Sequence, residues 1–232
     1  MSRLCTLCAR GGSKGVADKN LMEVAGKPLL AHSLLQARAS GLFATIAVSS
    51  DSPRILAAAE RWGADLLIER PAELATDAAP KLPVIQHAVE VAEDRAGRAF
   101  ATLVDLDATS PLRSVDDIRG AVGLLEGSGV SQVITGTPAR RSPYFNMVRL
   151  AADGVVRLVV EPEPPVTRRQ DAPPCYDMNA SIYVWTRDGL FQGGRPFNPD
   201  ARLFVMPEER SLDVDSPLDA RIVRFLMESR PS

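Results

Sequence analysis

Apolar positions along this chain switch repeatedly between two spacings, and the switching predicts the fold. An apolar run that ends at Ala9 reads as a first buried strand. Residues 28–40 then place Leu29, Leu30, Leu34, Leu35 and Ala37 near helical spacing, with Pro28 favourable at a helix start. The same change recurs down the chain. Strands are expected over 44–49, 65–68, 100–106 and 130–137, and helices over 53–62, 81–96 and 116–126, with Ser50-Asp51-Ser52-Pro53 as a helix cap. Alternation of this kind marks βαβ units, hence an α/β fold with a mainly parallel sheet. From Pro143 to Pro174 the rhythm is lost. Tyr144–Leu150 and Val155–Val160 flank Ala151-Ala152-Asp153-Gly154, and a Pro-rich, charged stretch follows, so 143–174 reads as an inserted hairpin and arm. Residues 179–184 resume the sheet, 203–206 add a short strand, and 217–227 close the chain as an amphipathic helix. No repeat is visible, and residues 1–232 are expected to form one domain.

Composition narrows the class of protein without naming a chemistry. Of 232 residues 45% are hydrophobic, which suits one α/β domain with a small appendage. Against 29 acidic residues stand 27 basic ones, a formal charge of -2, too weak a field for nucleic acid to be the main partner. No apolar run approaches the roughly 20 residues of a membrane helix, so the expectation is a cytoplasmic protein with no membrane partner. Cys5, Cys8 and Cys175 give an odd count. Cys5-x-x-Cys8 lies inside the first strand, where an offset of three turns the two thiols to opposite faces, and a zinc site lacks further ligands because the two histidines, His32 and His87, are isolated. Core thiols are the reading, with His32 a packed or boundary side chain of its helix.

Chemistry concentrates where the first strand ends. Leu7-Cys8-Ala9-Arg10-Gly11-Gly12-Ser13-Lys14-Gly15, then Lys19-Asn20 and Gly26-Lys27-Pro28, reads as strand, phosphate loop, helix. Glycines let backbone N–H groups approach a phosphate while Arg10 and Lys14 supply charge. The spacing fits neither G-x-x-x-x-G-K-[ST] nor G-x-G-x-x-G, so the loop is neither of those nucleotide fingerprints. A Gly-rich turn with solvated basic residues is the alternative. Asp105, Asp107, Thr109 and Ser110 follow a buried strand, at the carboxyl end where open α/β sheets collect ligands. Asp213-x-Asp215 puts two carboxylates on one side of an extended segment, suited to Mg²⁺ against triphosphate oxygens, although Asp215-Ser216-Pro217 would equally cap the last helix.

The words A-R-G-G-S-K-G, K-N and G-K-P-L, then R-P-A-E-L-A-T-D (Arg70–Asp77), T-S-P-L-R (Thr109–Arg113), M-N-A-S-I-Y (Met178–Tyr183) and S-L-D-V-D (Ser211–Asp215), resemble the acylneuraminate cytidylyltransferases and their relatives acting on other nine-carbon ulosonic acids. The likeness covers nearly the whole chain, in the family's order. It implies a Rossmann-like, mainly parallel sheet of the nucleotide-diphospho-sugar transferase type, CTP and a nonulosonic acid as substrates, and Mg²⁺ on Asp213 and Asp215. It also implies that Arg10, the Gly11 backbone, Ser13, Lys14 and Asn20 meet the triphosphate and ribose, and that Arg70 meets the cytosine. Asn179 and Tyr183 would line the acceptor side, and Arg10, Lys14 and Asp213 would carry catalysis. Arg113 is as readily a structural clamp as a substrate contact. The arm would cross to a second subunit of a homodimer, a lid on a monomer being the alternative. Two positions depart from the sialic-acid pattern: Asp107 replaces an amide and Lys81 a small hydroxyl residue, both on the acceptor side. These departures point toward legionaminic-type diamino sugars. An eight-carbon ulosonic acid, another base, or binding without turnover remain as alternatives.

Overall fold

The computed structural model describes residues 2–12, 15–193 and 197–229. Its first strand, β1 (Arg3–Cys8), is nearly all buried, because a parallel sheet is covered on both faces and its inner strands read as unbroken apolar runs. Leu7 and Cys5 face one side, whereas Leu4 and Cys8 face the other, so the two thiols do part company and both are free.

Beyond β1 come β2 (Glu23–Val24) and β3 (Lys27–Pro28), then α1 (Leu29–Ser40), β4 (Thr45–Ser50), α2 (Pro53–Arg61), β5 (Leu66–Glu69), α3 (Lys81–Ala96), β6 (Thr102–Leu106), α4 (Val115–Ser128) and β7 (Gln132–Pro138). The hairpin β8 (Val148–Leu150) and β9 (Val156–Leu158) precedes β10 (Tyr176–Thr186), α5 (Arg187–Gln192), β11 (Arg202–Val205) and α6 (Pro217–Glu228). Seven strands form one sheet in the order β11-β7-β10-β6-β1-β4-β5, parallel throughout except for β10, which runs antiparallel to both β6 and β7. One face packs α1, α2 and α4 over a core that includes Leu30, Ile46, Val104 and Ile182; the other packs α3 over Leu4, Phe100, Leu103 and Trp185.

Two elements escape the periodicity. The β2–β3 hairpin turns through Ala25 and Gly26, both at positive φ (46° and 74°), a turn whose usual marker is Asn-Gly. Helix α5 is six residues long, too short to show a helical period, and is started by Thr186, whose hydroxyl accepts from the Gly189 N–H. Both long helices after the sheet's centre carry capping boxes: Ser114 with Asp117 on α4, and Ser216 with Asp219 on α6. Ser216 thus takes the cap, and Asp215 is left for other partners.

The hairpin β8–β9 stands apart from the main sheet. Leu150 is 74% exposed and Val148 and Val156 are also open to solvent, an apolar surface that a two-stranded ribbon cannot cover by itself. Among the described residues no helix is long and apolar enough to cross a membrane.

Candidate active site

Strand order determines where a ligand can sit. From β1 the chain proceeds outward to β4 and β5, then returns to place β6 on the other side of β1. That reversal opens a crevice beyond the carboxyl ends of β1 and β6. A cleft of about 260 Å³ lies there, lined by Cys8, Arg10, Asn20, Arg70, Asp107 and Thr109 among others. Asn20 is buried in a single turn of 3₁₀ helix, Lys19–Leu21, and its amide donates to the Arg10 carbonyl at 3.0 Å, which fixes the loop behind β1. The Arg70 guanidinium is buried at the end of β4, donating to the Ser49 carbonyl at 2.8 Å and to its hydroxyl at 3.3 Å. Arg10 pairs with Asp77 across the cleft. The Gly11 N–H, expected to face a phosphate, instead donates to Asp51 Oδ1 at 2.8 Å, because a carboxylate is the available anion. Ser13 and Lys14 lie outside the described residues. Gly15 has to be glycine, since a Cβ there would stand 2.2 Å from the Asp215 carbonyl oxygen.

That contact joins the loop to the Asp213-x-Asp215 segment. Val214 is buried among Leu29, Leu112 and Val223, and its N–H donates to the Thr109 carbonyl at 2.9 Å. With Val214 turned inward, alternation turns Asp213 and Asp215 the other way. Asp215 meets Lys19 Nζ at 2.8 Å. Burial and the neighbouring Asp215 carboxylate push the Asp213 carboxyl up to about 6. Among the described residues no three His, Cys, Asp or Glu side chains converge into a metal cage.

A second cleft, about 540 Å³, adjoins the first between α3 and β10, with Tyr183, Trp185, Phe191, Phe197 and Met178 in its wall. Lys81 lines both clefts. Its ammonium lies 3.1 Å from Asp105 Oδ2, 3.1 Å from Asp107 Oδ2 and 4.4 Å from the centre of the Tyr183 ring, which stacks on Trp185. The two departures from the sialic-acid pattern therefore pair with each other. Burial alone would raise the Asp107 carboxyl, but Lys81 and the hydrogen bonds from Thr109 outweigh it and hold it at about 2. Burial would lower the Lys81 ammonium, and Asp107 and Asp105 reverse that, raising it above its ordinary value. Asp107, expected on the acceptor side, lines the smaller cleft and reaches the larger one through Lys81. Asn179 lines neither cleft. Its carbonyl oxygen accepts from Thr135 and the Ser181 N–H, and its amide nitrogen donates to Ser211 and Met206, where it braces a β-bulge in β10 at Ala180 (φ 50°). Arg113 is fully buried and donates to Ser181, Ser33, Gln36 and the Asp107 carbonyl, so it clamps the loop after β6; burial lowers it to about 10.

Residues 4–183 match the family profile described as cytidylyltransferase. The chain belongs to the cytidylyltransferase family. It is 45% identical to the CMP-N,N'-diacetyllegionaminic acid synthase of Campylobacter jejuni over 97% of this chain and 94% of that one. It is also 43% identical to the post-translational flagellin modification protein B of Campylobacter coli, over 98% and 95%. A solved CMP:2-keto-3-deoxy-manno-octonic acid synthetase complexed with CTP superposes with a TM-score of 0.71 at 17% identity, covering 98% of this chain and 99% of that one, a likeness of fold. The cytidylyltransferase is thus a nucleotidyltransferase built on a mainly parallel seven-stranded sheet.

Two side chains of this cytidylyltransferase's site have partners that the sequence did not disclose. Lys19 stands next to Asn20 in the K-N word, and only the fold carries it to Asp215, 196 positions away. Asp105 shares a face with Asp107 through their spacing of two, a signal present in the sequence but silent about Lys81.

Proposed function

We propose that the chain activates a nonulosonic acid with CTP, the anomeric hydroxyl attacking the α-phosphorus in line to give a CMP-sugar and pyrophosphate. The observation that carries this reading is the pair of clefts joined at Lys81, one small and charged, the other larger and walled with aromatic rings. Arg10, the Gly11 backbone, Ser13, Lys14 and Asn20 take the triphosphate and ribose in the first. Arg10 and the Gly11 N–H are held by Asp77 and Asp51 in the free chain, so binding exchanges carboxylates for phosphate oxygens. Arg70 spends two N–H groups on Ser49, and its other donors suit the ring acceptors of cytosine. Tyr183 and its neighbours receive the sugar, whose acyl methyl groups match the apolar wall.

Asp213 and Asp215 fit a divalent metal, and we assign Mg²⁺. Two adjacent carboxylates, of which Asp215 raises the proton affinity of Asp213, favour a cation between them, and Mg²⁺ is commonly held by one or two carboxylates together with substrate phosphates. When bound, the ion supplies charge neutralisation at the phosphates. Positioning by the loop does most of the remaining work. Asp213 is also our candidate for the group that accepts the hydroxyl proton.

Among acceptors we favour a legionaminic-type diamino sugar, in keeping with the Campylobacter jejuni relative and with Lys81 and Asp107. We further read 143–174 as a dimerisation arm whose exposed Val148, Leu150 and Val156 dock on a second copy, in a cytoplasmic enzyme. Light scattering at micromolar concentration checks the dimer, and a monomer would make the arm a lid. The reaction is tested by pyrophosphate release from CTP with N,N'-diacetyllegionaminic acid, N-acetylneuraminic acid and an eight-carbon ulosonic acid, each with and without Mg²⁺. Release that depends on Mg²⁺ and is fastest with the first sugar is expected. Binding of CTP with no release for any acceptor would leave a non-catalytic nucleotide-sugar binder.

A further inference from the structure

Asp105 is the most deeply buried carboxylate at the junction of the two clefts, 1% exposed. The sheet register explains its surroundings. On β6 it lies beside Thr6 of parallel β1 and opposite Tyr183 of antiparallel β10, so these side chains share one face, the face covered by α3. Thr6 donates its hydroxyl to Asp105 Oδ1 at 2.9 Å. The other oxygen, Oδ2, has no hydrogen bond to satisfy it and faces the Lys81 ammonium at 3.1 Å. A buried carboxylate oxygen in that position depends on the lysine's charge, and it fixes the lysine in return.

We propose that Asp105 is a positioning residue for acceptor use, holding the Lys81 ammonium at the boundary so that Asp107 is shared with it rather than captured by it. An ammonium has three N–H donors. With Asp107 accepting one N–H, the Asp105 charge 3.1 Å away on the buried side and the Tyr183 ring beneath, Lys81 is held in place with its 38% exposed side toward the clefts. Without the Asp105 charge, Lys81 would be held by Asp107 alone and free to leave its place over the Tyr183 ring at the entrance to the larger cleft. Asp105 therefore sets acceptor affinity without touching the acceptor. The inference rests on reading the larger cleft as the acceptor site.

The experiment has two arms on the full chain. In the first, Asp105→Asn keeps the shape and the Thr6 hydrogen bond, and the KM for the acceptor should rise about tenfold, the scale of one charged hydrogen bond, while the KM for CTP stays within about twofold. In the second, thermal unfolding is compared for Asp105→Asn, Lys81→Met and the double variant, with no substrate present. Lys81→Met leaves the buried carboxylate uncompensated, so adding Asp105→Asn to it should raise the melting temperature, whereas Asp105→Asn alone should lower it. A merely structural aspartate would be equally costly to lose in both backgrounds, and that result overturns the proposal. A rise in the KM for CTP with the acceptor KM unchanged overturns it too. If the unmodified chain turns over no acceptor, the functional reading fails, and the unfolding cycle still decides whether Asp105 acts through Lys81.

Discussion

The two clefts share one lysine and are built in opposite ways. The smaller draws on short, sequence-local words: Arg10, Gly11 and Asn20 from the loop after β1, Arg70 and Asp77 from the stretch after β5, Asp107 and Thr109 from the loop after β6. Each follows the carboxyl end of a strand, the central β1 and β6 or the edge strand β5, where backbone and charged donors can converge on an anion. The larger draws single apolar side chains from α3, β10, α5 and the segment at Phe197. Anion recognition needs charges and N–H groups at fixed spacing, which a loop can supply alone. An apolar wall needs only bulk at the right place, which distant segments supply once folded. The first cleft should therefore be brittle toward substitution and the second adaptable.

The largest expected effect breaks the brittle side. Arg10→Ala, and equally Lys14→Ala, should leave a folded protein by circular dichroism with turnover lowered roughly 10²-fold, since one donor aimed at transition-state charge is worth about 3 kcal/mol. Normal pyrophosphate release from both variants would remove the loop from the nucleotide site.

A smaller effect sharpens the boundary. Asp107→Gln should move the ratio of kcat/KM values about tenfold toward N-acetylneuraminic acid, because an amide replaces a charge where a site's polar groups select the sugar's. The KM for CTP should hold within about twofold. Because Asp107 lines the smaller cleft, a large rise in the KM for CTP would assign it to the nucleotide instead.

The smallest effect separates metal from proton at Asp213. Its carboxyl, ordinarily near 3.8, is raised to about 6 in the folded chain, so the folded state binds more protons than the unfolded state between those values. In metal-free protein this contribution is present at low pH and is lost as pH rises through 4 to 6. Mg²⁺ competes for the same site and should raise the melting temperature by a few degrees at pH 7.5 and by almost nothing at pH 5. Asp213→Asn should abolish that pH dependence, and a Mg²⁺ shift equal at both pH values would place the ion elsewhere.

How far the sequence reaches can be read from particular residues. Periodicity located β1, β4, β6, β7 and the long helices to within a few residues, because buried parallel strands and amphipathic helices write their spacing into the chain. It passed over the β2–β3 turn at Ala25-Gly26, whose left-handed residues lack the usual side-chain marker, and α5, which is too short to repeat. The glycine loop and the Asp-x-Asp pair stand out in the sequence because their spacing is local, as does the parting of Cys5 and Cys8 to opposite faces of β1. Tertiary structure alone decided that Asn179 braces a bulge rather than lining a cleft, and that Arg113 clamps the Asp107 carbonyl. It alone brought Lys19 to Asp215 and Lys81 between Asp105 and Asp107. Apart from Arg113 and Asp107, six positions apart, those partners sit from about 24 to 196 positions apart, and their meeting follows from strand order and register, which spacing within a segment does not encode.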